Sequence, residues 1–467
     1  MYAADPMSKF KGALAMGVPG ELAGLHAAWS SYGRLPWKSL FVPAIKLARD
    51  GYTVVPYVAN ALKAVEANVL ADPGLRAVFA PEGQVLVAAG CTLPQPGARG
   101  HLDAVAEHGI SVLYGGAVGE RLVEDVRRGG GVVTMDDLKG YRVEVSAALR
   151  ADAMGFTFLG MPPPSSGTVG MALVLNILGG YKSAEFLRGF LGVHRLIEAV
   201  KHMLAFRMDL GDPGFVNAAG IVSEMLSPAF ADKVRQRIAD NTTFPPAYYL
   251  PKWSQLRDNG TSHLCVVDGD RNAVAMTTTV NYYFGAQVLS PSTGIVLNNE
   301  MDDFSMPSSY PTPDHLPPPT GAGQLHPRQR DDTDIILKDG QLAGVVGASG
   351  GTNIIAAVTQ VFLNHFVLGM SPLVAVQSPR VYHSLVPNVV RYEDETVVDG
   401  EVIELKAEAR EFLRRRGHVL KGTVWSAVCQ MIVQDLQAPV SSGSENVFHG
   451  MLTAVSDPRK DGSPAGV

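Results

Sequence analysis

Asp258-Asn259-Gly260-Thr261-Ser262-His263-Leu264 joins a glycine to a threonine at the head of a β-prone run that continues to Val267. A threonine hydroxyl is a weak nucleophile until a base takes its proton. If the chain is cut before Thr261, the new α-amino group can be that base. Its ordinary pKa, about 7.7–8.0, lies near working pH, where general-base catalysis is most effective. Gly260 has no side chain, so the peptide before Thr261 can take a strained geometry that lets the hydroxyl reach its carbonyl. Standing alone, Gly-Thr-Ser-His describes no more than a turn entering a strand. Asn259-Gly260-Thr261 and Asn241-Thr242-Thr243 also match a glycosylation sequon, which is weak information.

Working outward, residues 261–267 and 273–280 read as two strands joined by the turn-rich Asp268-Gly269-Asp270-Arg271-Asn272. Residues 335–337 and 342–346, joined by Lys338-Asp339-Gly340, read as a second hairpin with a D-G turn signal. An apolar helix is expected at 353–368. Upstream, helical spacing of apolar residues predicts helices at 40–50, 118–127 and 193–208. Residues 307–319 are Pro-rich and carry no core-forming pattern. Paired strands covered by helices imply a layered α+β protein.

Composition narrows the function classes. The 467 residues are 46% hydrophobic and 18% charged, with mean hydropathy +0.10, enough apolar content for a large core. A net charge of -6 and a pI near 6.1 exclude the basic excess expected of a nucleic-acid binder. No apolar run of about 18 residues marks a spanning helix. Cys91, Cys265 and Cys429 are far apart and match no metal-ligand spacing. Met1-Tyr2-Ala3-Ala4-Asp5-Pro6 has neither the basic nor the apolar region of a signal peptide.

Two further segments bear chemistry. Thr277-Thr278-Thr279-Val280-Asn281 precedes Asn298-Asn299-Glu300-Met301-Asp302-Asp303-Phe304. An amide with a carboxylate cluster can hold an ammonium group, because charge-assisted hydrogen bonds are short and strong; the alternative is a solvated acidic loop. Gly347-Ala348-Ser349-Gly350-Gly351-Thr352 offers a glycine pair whose amides can converge on an oxyanion, although such pairs are also common as plain turns.

Taken together, the blocks 258–264, 298–305 and 347–352 resemble the signatures of the γ-glutamyltransferase (glutathione hydrolase) family. Val18-Pro19-Gly20-Glu21, Gly33-Arg34-Leu35-Pro36-Trp37, Met161-Pro162-Pro163-Pro164-Ser165-Ser166-Gly167 and Ser456-Asp457-Pro458-Arg459-Lys460 extend the likeness over nearly the whole chain, closest in wording to the plant branch. The resemblance implies the four-layer αββα sandwich of N-terminal-nucleophile hydrolases, with no metal or organic cofactor. It implies cleavage at Gly260–Thr261 into a large-subunit region, 1–260, and a small-subunit region, 261–467, which together form one domain. Thr261 would be the nucleophile, Thr279 its supporting hydroxyl, and Gly350 and Gly351 the oxyanion donors. Asn281, Glu300 and Asp303 would hold the α-amino end of a γ-glutamyl group. The implied partners are glutathione, other γ-glutamyl compounds and amino acid or dipeptide acceptors. The implied location is the secretory route: apoplast, plasma membrane or vacuole.

Two departures stand out. The family carries a substrate-clamping arginine upstream of Val18-Pro19-Gly20-Glu21, and this chain begins after that segment, so Met1 is not expected to be the native start. Where the family has a serine pair before the second hairpin, the text is Pro327-Arg328-Gln329-Arg330-Asp331. Arg330 then becomes a candidate partner for the substrate carboxylate, since a guanidinium binds carboxylates bidentately. An inactive family member and an amide acylase of altered specificity are the alternatives.

Overall fold

The computed structural model describes residues 1–2, 4–181, 187–249, 261–304, 333–394, 396–398, 400–424, 427–436 and 449–466. Gly260, Gln329 and Arg330, and the Pro-rich 307–319, lie outside these residues. The chain forms two compact units, Met1–Ser146 with Thr278–Asp302, and Ala147–Thr277 with Asp303–Val467.

The smaller unit is mainly helical, with helices Glu21–Tyr32, Trp37–Asp50, Pro96–His108 and Ala117–Arg128 and one short pair of strands, β1 (Tyr52–Thr53) and β2 (Thr92–Leu93). Val118, Leu122 and Val126, one helical face of Ala117–Arg128, are buried with Ala13, Ala15, Ala286 and Leu297. The segment 278–302 is thereby fixed by apolar packing from the first residues of the chain. Gly20 is required locally: a Cβ there would sit 2.1 Å from the Tyr141 hydroxyl.

The larger unit is built on one antiparallel sheet of six strands. These are β3 (Leu149–Ala153), β4 (Phe156–Gly160), β7 (Thr333–Lys338), β8 (Gln341–Ser349), β14 (Val428–Gln434) and β15 (Leu452–Ser456), in the order β15-β14-β8-β7-β4-β3. Between them in sequence come the hairpin β5 (Ser262–Val267) and β6 (Ala273–Thr278), then β9 (Val381–His383), β10 (Val390–Glu393), β11 (Thr396–Val398), β12 (Glu401–Ile403) and β13 (Leu420–Thr423). Strand β8 is buried at every position after Gln341, as a central strand covered on both faces must be. The helices Gly167–Gly179 and Ile354–Phe362 pack against the sheet, and β5 packs against β8 and β14. Small residues make that approach possible. The His263 ring of β5 lies where a Cβ on Gly347 would be, with ring atoms 2.4–2.7 Å from that position.

The hairpins and helices expected from the sequence are present, with shifted ends. Strand β6 stops at Thr278 rather than at 280, because the Thr279 hydroxyl accepts the Asn281 N–H at 2.7 Å and Asn281 takes a φ of 72°. That side-chain-to-backbone bond competes with the ladder and turns the chain away. The second hairpin is longer than expected, Thr333–Lys338 with Gln341–Ser349, because its polar end is satisfied: Asp334 accepts the Thr168 hydroxyl at 2.9 Å. The helix expected at 353–368 is α-helical only over Ile354–Phe362 and continues as a π-turn, Leu363–Val367.

Several histidines are buried in the larger unit. Burial holds His202 at about 3 and His418 at about 3, and lowers His263 to about 4. Each is therefore neutral in the folded chain and takes up a proton more readily when unfolded. Stability is full above about 6.5, the ordinary histidine value, and falls as pH drops from there toward the folded-state values. The slope is about 1.4 kcal/mol per pH unit for each such group. Urea midpoints at pH 7 and pH 5 should differ clearly, with the protein weaker at pH 5; equal midpoints would show that these rings are not held neutral.

Candidate active site

Thr261 is half-buried at the entry to β5, and His263, two residues on and on the same side of the strand, anchors that strand against Gly347 of β8. Strand β8 runs on into the glycine pair. Gly350 has φ 133° and Gly351 φ 58°, values a side chain would strain. The pair opens a short turn, Gly351–Asn353, that leads into the helix Ile354–Phe362. Its amides thus stand at the positive end of a helix, where unsatisfied N–H groups and the peptide dipoles favour an anion. Thr261 and the glycine pair both belong to the larger unit.

Thr279, Asn281 and Glu300 belong to the smaller unit, where an asparagine pair shapes their surroundings. Asn281 is 4% exposed, and its side-chain amide donates to the Asn299 carbonyl at 3.0 Å. Asn299 is fully buried; its side-chain oxygen accepts the Tyr282 N–H at 3.0 Å and its amide donates to the Phe10 carbonyl at 3.0 Å. The Asn298 side chain accepts the Gly17 N–H at 2.9 Å and the Glu300 N–H at 3.1 Å, and donates to the Gly17 carbonyl at 3.0 Å. Asn281 is thus held against the residue preceding the 3-10 turn Glu300–Asp303, which carries the predicted carboxylates.

The acidic cluster is not uniform. Lys9, 9% exposed, lies 3.5 Å from the Asp302 carboxylate and donates to the Asp302 carbonyl at 2.6 Å. Asp302 thus has a cation beside it. Glu21 accepts the Thr278 hydroxyl at 3.0 Å and so braces the residue before Thr279. Of the motif 161–167, Ser166 accepts the Arg207 guanidinium at 2.7 Å and is structural.

Among the described residues, one buried cluster has metal-ligand types: His194, Glu198 and His418. Each group is already engaged. His194 Nδ1 and His418 Nε2 are 2.8 Å apart, and His194 Nε2 donates to the Ala239 carbonyl at 2.8 Å. The Glu198 carboxylate accepts the Thr243 and Tyr249 hydroxyls, each at 2.5 Å. Cys91, Cys265 and Cys429 are free thiols.

The fold is similar to that of cephalosporin acylase from Bacillus halodurans, with TM-score 0.78, 23% identity, and coverage of 97% of this chain and 78% of that one. It is the αββα fold of N-terminal-nucleophile hydrolases. Glutathione hydrolase 3 of Arabidopsis thaliana is 53% identical over 484 residues, covering 100% of this chain and 75% of the relative. Glutathione hydrolase 2 of the same plant is 46% identical over 471 residues, covering 100% of this chain and 80% of the relative. The family model described as gamma-glutamyltranspeptidase matches residues 1–467, and the chain, with its threonine at the head of β5 and its glycine pair at a helix N-terminus, belongs to the γ-glutamyltranspeptidase family.

Proposed function

We propose that this chain is a glutathione hydrolase and γ-glutamyltransferase that works through an ester on Thr261 after cleavage at Gly260–Thr261. The observation that supports the reading is the bond from the Asn281 side chain to the Asn299 carbonyl, one residue before the turn Glu300–Asp303 that carries the acids proposed to bind an ammonium group. In this reading Asn281, Glu300 and Asp303 bind the substrate α-ammonium. The Thr261 hydroxyl, steadied by Thr279, adds to the γ-carbonyl carbon and gives its proton to the Thr261 α-amine. The Gly350 and Gly351 amides stabilise the oxyanion. Collapse breaks the amide bond, and the leaving amine takes the proton. Water, or the amine of an amino acid or peptide, then attacks the ester and restores Thr261. A secretory-route location belongs to the same proposal and rests on the family likeness.

The text at 327–331 favours a second reading, altered acyl specificity, because Gln329-Arg330 stands where the family has a serine pair. Burying the substrate carboxylate without a partner is strongly unfavourable, so Arg330 is proposed as its partial clamp. Glutathione hydrolysis by wild type, Arg330→Ala, and the double change Gln329→Ser with Arg330→Ser tests this. The clamp predicts loss of hydrolysis on Arg330→Ala. If alanine leaves the rate unchanged and the serine pair raises it, Arg330 is no clamp. If wild type releases no glutamate from glutathione yet cleaves other amides, the acylase reading replaces the first.

A further inference from the structure

We infer that the buried Arg380–Asp457 pair is a positioning device for the Gly350-Gly351 turn, an inference that rests on reading that turn as the oxyanion-binding element.

Two glycines with positive φ have no side chains to lock them in place. Their precision must come from the strand that delivers them, and β8 ends at Ser349. Ser349 pairs with Val428 of β14, and Ala348 with Cys429. On its other side β14 pairs with β15, whose last residue, Ser456, faces Gln430. One step further the ladder would place Asp457 opposite Cys429. There the Asp457 carboxylate takes over and accepts the Cys429 N–H at 2.9 Å. Arg380 fixes the chain on the other side of Val428, its guanidinium donating to the Ala427 carbonyl at 2.9 Å and to Asp457 Oδ2 at 2.7 Å. The residue paired with Ser349 is therefore clamped through both of its neighbours.

The clamp is itself rigidly held. Arg380 is 1% exposed and Asp457 fully buried. Arg459 donates to Asp457 Oδ1 at 3.0 Å, to both Glu393 oxygens at 3.0 and 2.7 Å, and to the carbonyls of Val376, Gln377 and Ser378. The Glu393 carboxylate also accepts the Arg380 N–H at 3.1 Å. Two guanidinium groups and two carboxylates thus balance in a dry interior. Buried ion pairs of this kind are poor stabilisers, because desolvation offsets their attraction and apolar residues of similar volume often serve as well. What apolar residues cannot supply is a fixed donor on Ala427 and a fixed acceptor on Cys429. Geometry at the end of β8, rather than stability, is what this network contributes.

The test is steady-state kinetics with a γ-glutamyl anilide, with thermal midpoints, on the self-cleaved form of three proteins. These are the paired replacement Arg380→Met with Asp457→Leu, the milder Arg380→Lys, and Gly351→Ala. The paired replacement removes both charges together, so no buried ion is left alone. Arg380→Lys keeps a charge but lacks the second donor arm, and it carries the same test if the paired replacement does not fold. Misplacement of oxyanion donors should lower kcat about tenfold or more, with KM within about twofold of wild type. A merely structural role would move the midpoint and leave kcat alone. Unchanged kcat in a folded Arg380 variant, beside a Gly351→Ala protein that has lost activity, overturns this inference. Full activity in Gly351→Ala overturns the oxyanion reading beneath it.

Discussion

Thr261→Ala should remain a single polypeptide of 467 residues on a denaturing gel, whereas the wild-type chain should separate into residues 1–260 and 261–467. The same substitution should remove hydrolysis of γ-glutamyl substrates, by about 10³-fold or more, as expected when a covalent nucleophile is deleted. Both losses follow from one hydroxyl if, as proposed, it attacks the peptide before it during maturation and the γ-carbonyl afterwards. Thr261→Ser keeps the hydroxyl and should retain both reactions at reduced rate. The effect should be specific, because Thr261 precedes β5 and lies outside its ladder, so alanine disturbs little packing. A Thr261→Ala protein that still splits would place the nucleophile elsewhere.

Asp303→Asn should raise KM strongly and leave self-cleavage intact. If the Asp303 carboxylate meets the substrate ammonium in a desolvated site, truncating one partner of such a pair costs about 2–5 kcal/mol. At about 1.4 kcal/mol per tenfold, KM should rise by about 30-fold or more. The neighbouring acid supplies the control. Asp302 is already paired with Lys9, so Asp302→Asn should loosen the smaller unit while leaving KM close to wild type. Equal effects of the two substitutions would mean that the acidic turn acts only as a block of negative charge.

Much of this was legible in the chain itself, for identifiable reasons. The hairpin of β5 and β6 and that of β7 and β8 are bounded by turn residues with strong local preferences, so local chemistry marks them. Gly350-Gly351 was legible because positive φ selects glycine. The end of β6 was misplaced by two residues because a single Thr279 hydroxyl outcompeted the ladder for the Asn281 N–H. The pairing of Asp302 with Lys9 could not be seen at all. The two are 293 positions apart, and no periodicity relates residues so distant. The Arg380–Asp457 clamp was hidden for the same reason, being 77 positions apart in sequence. Ser456-Asp457-Pro458-Arg459-Lys460 resembles a family motif, but its chemistry emerges only where β15 runs out beside Cys429.

Thr261 is proposed to carry the γ-glutamyl group during turnover. Rapid acid quenching of the purified protein with a γ-glutamyl anilide, followed by intact mass measurement of the two pieces, tests it most directly. The 261–467 piece should gain the mass of one γ-glutamyl group, located on Thr261 by fragmentation, and residues 1–260 should gain nothing. A substrate that turns over while the 261–467 piece stays unmodified, or an adduct on any other residue, would contradict it.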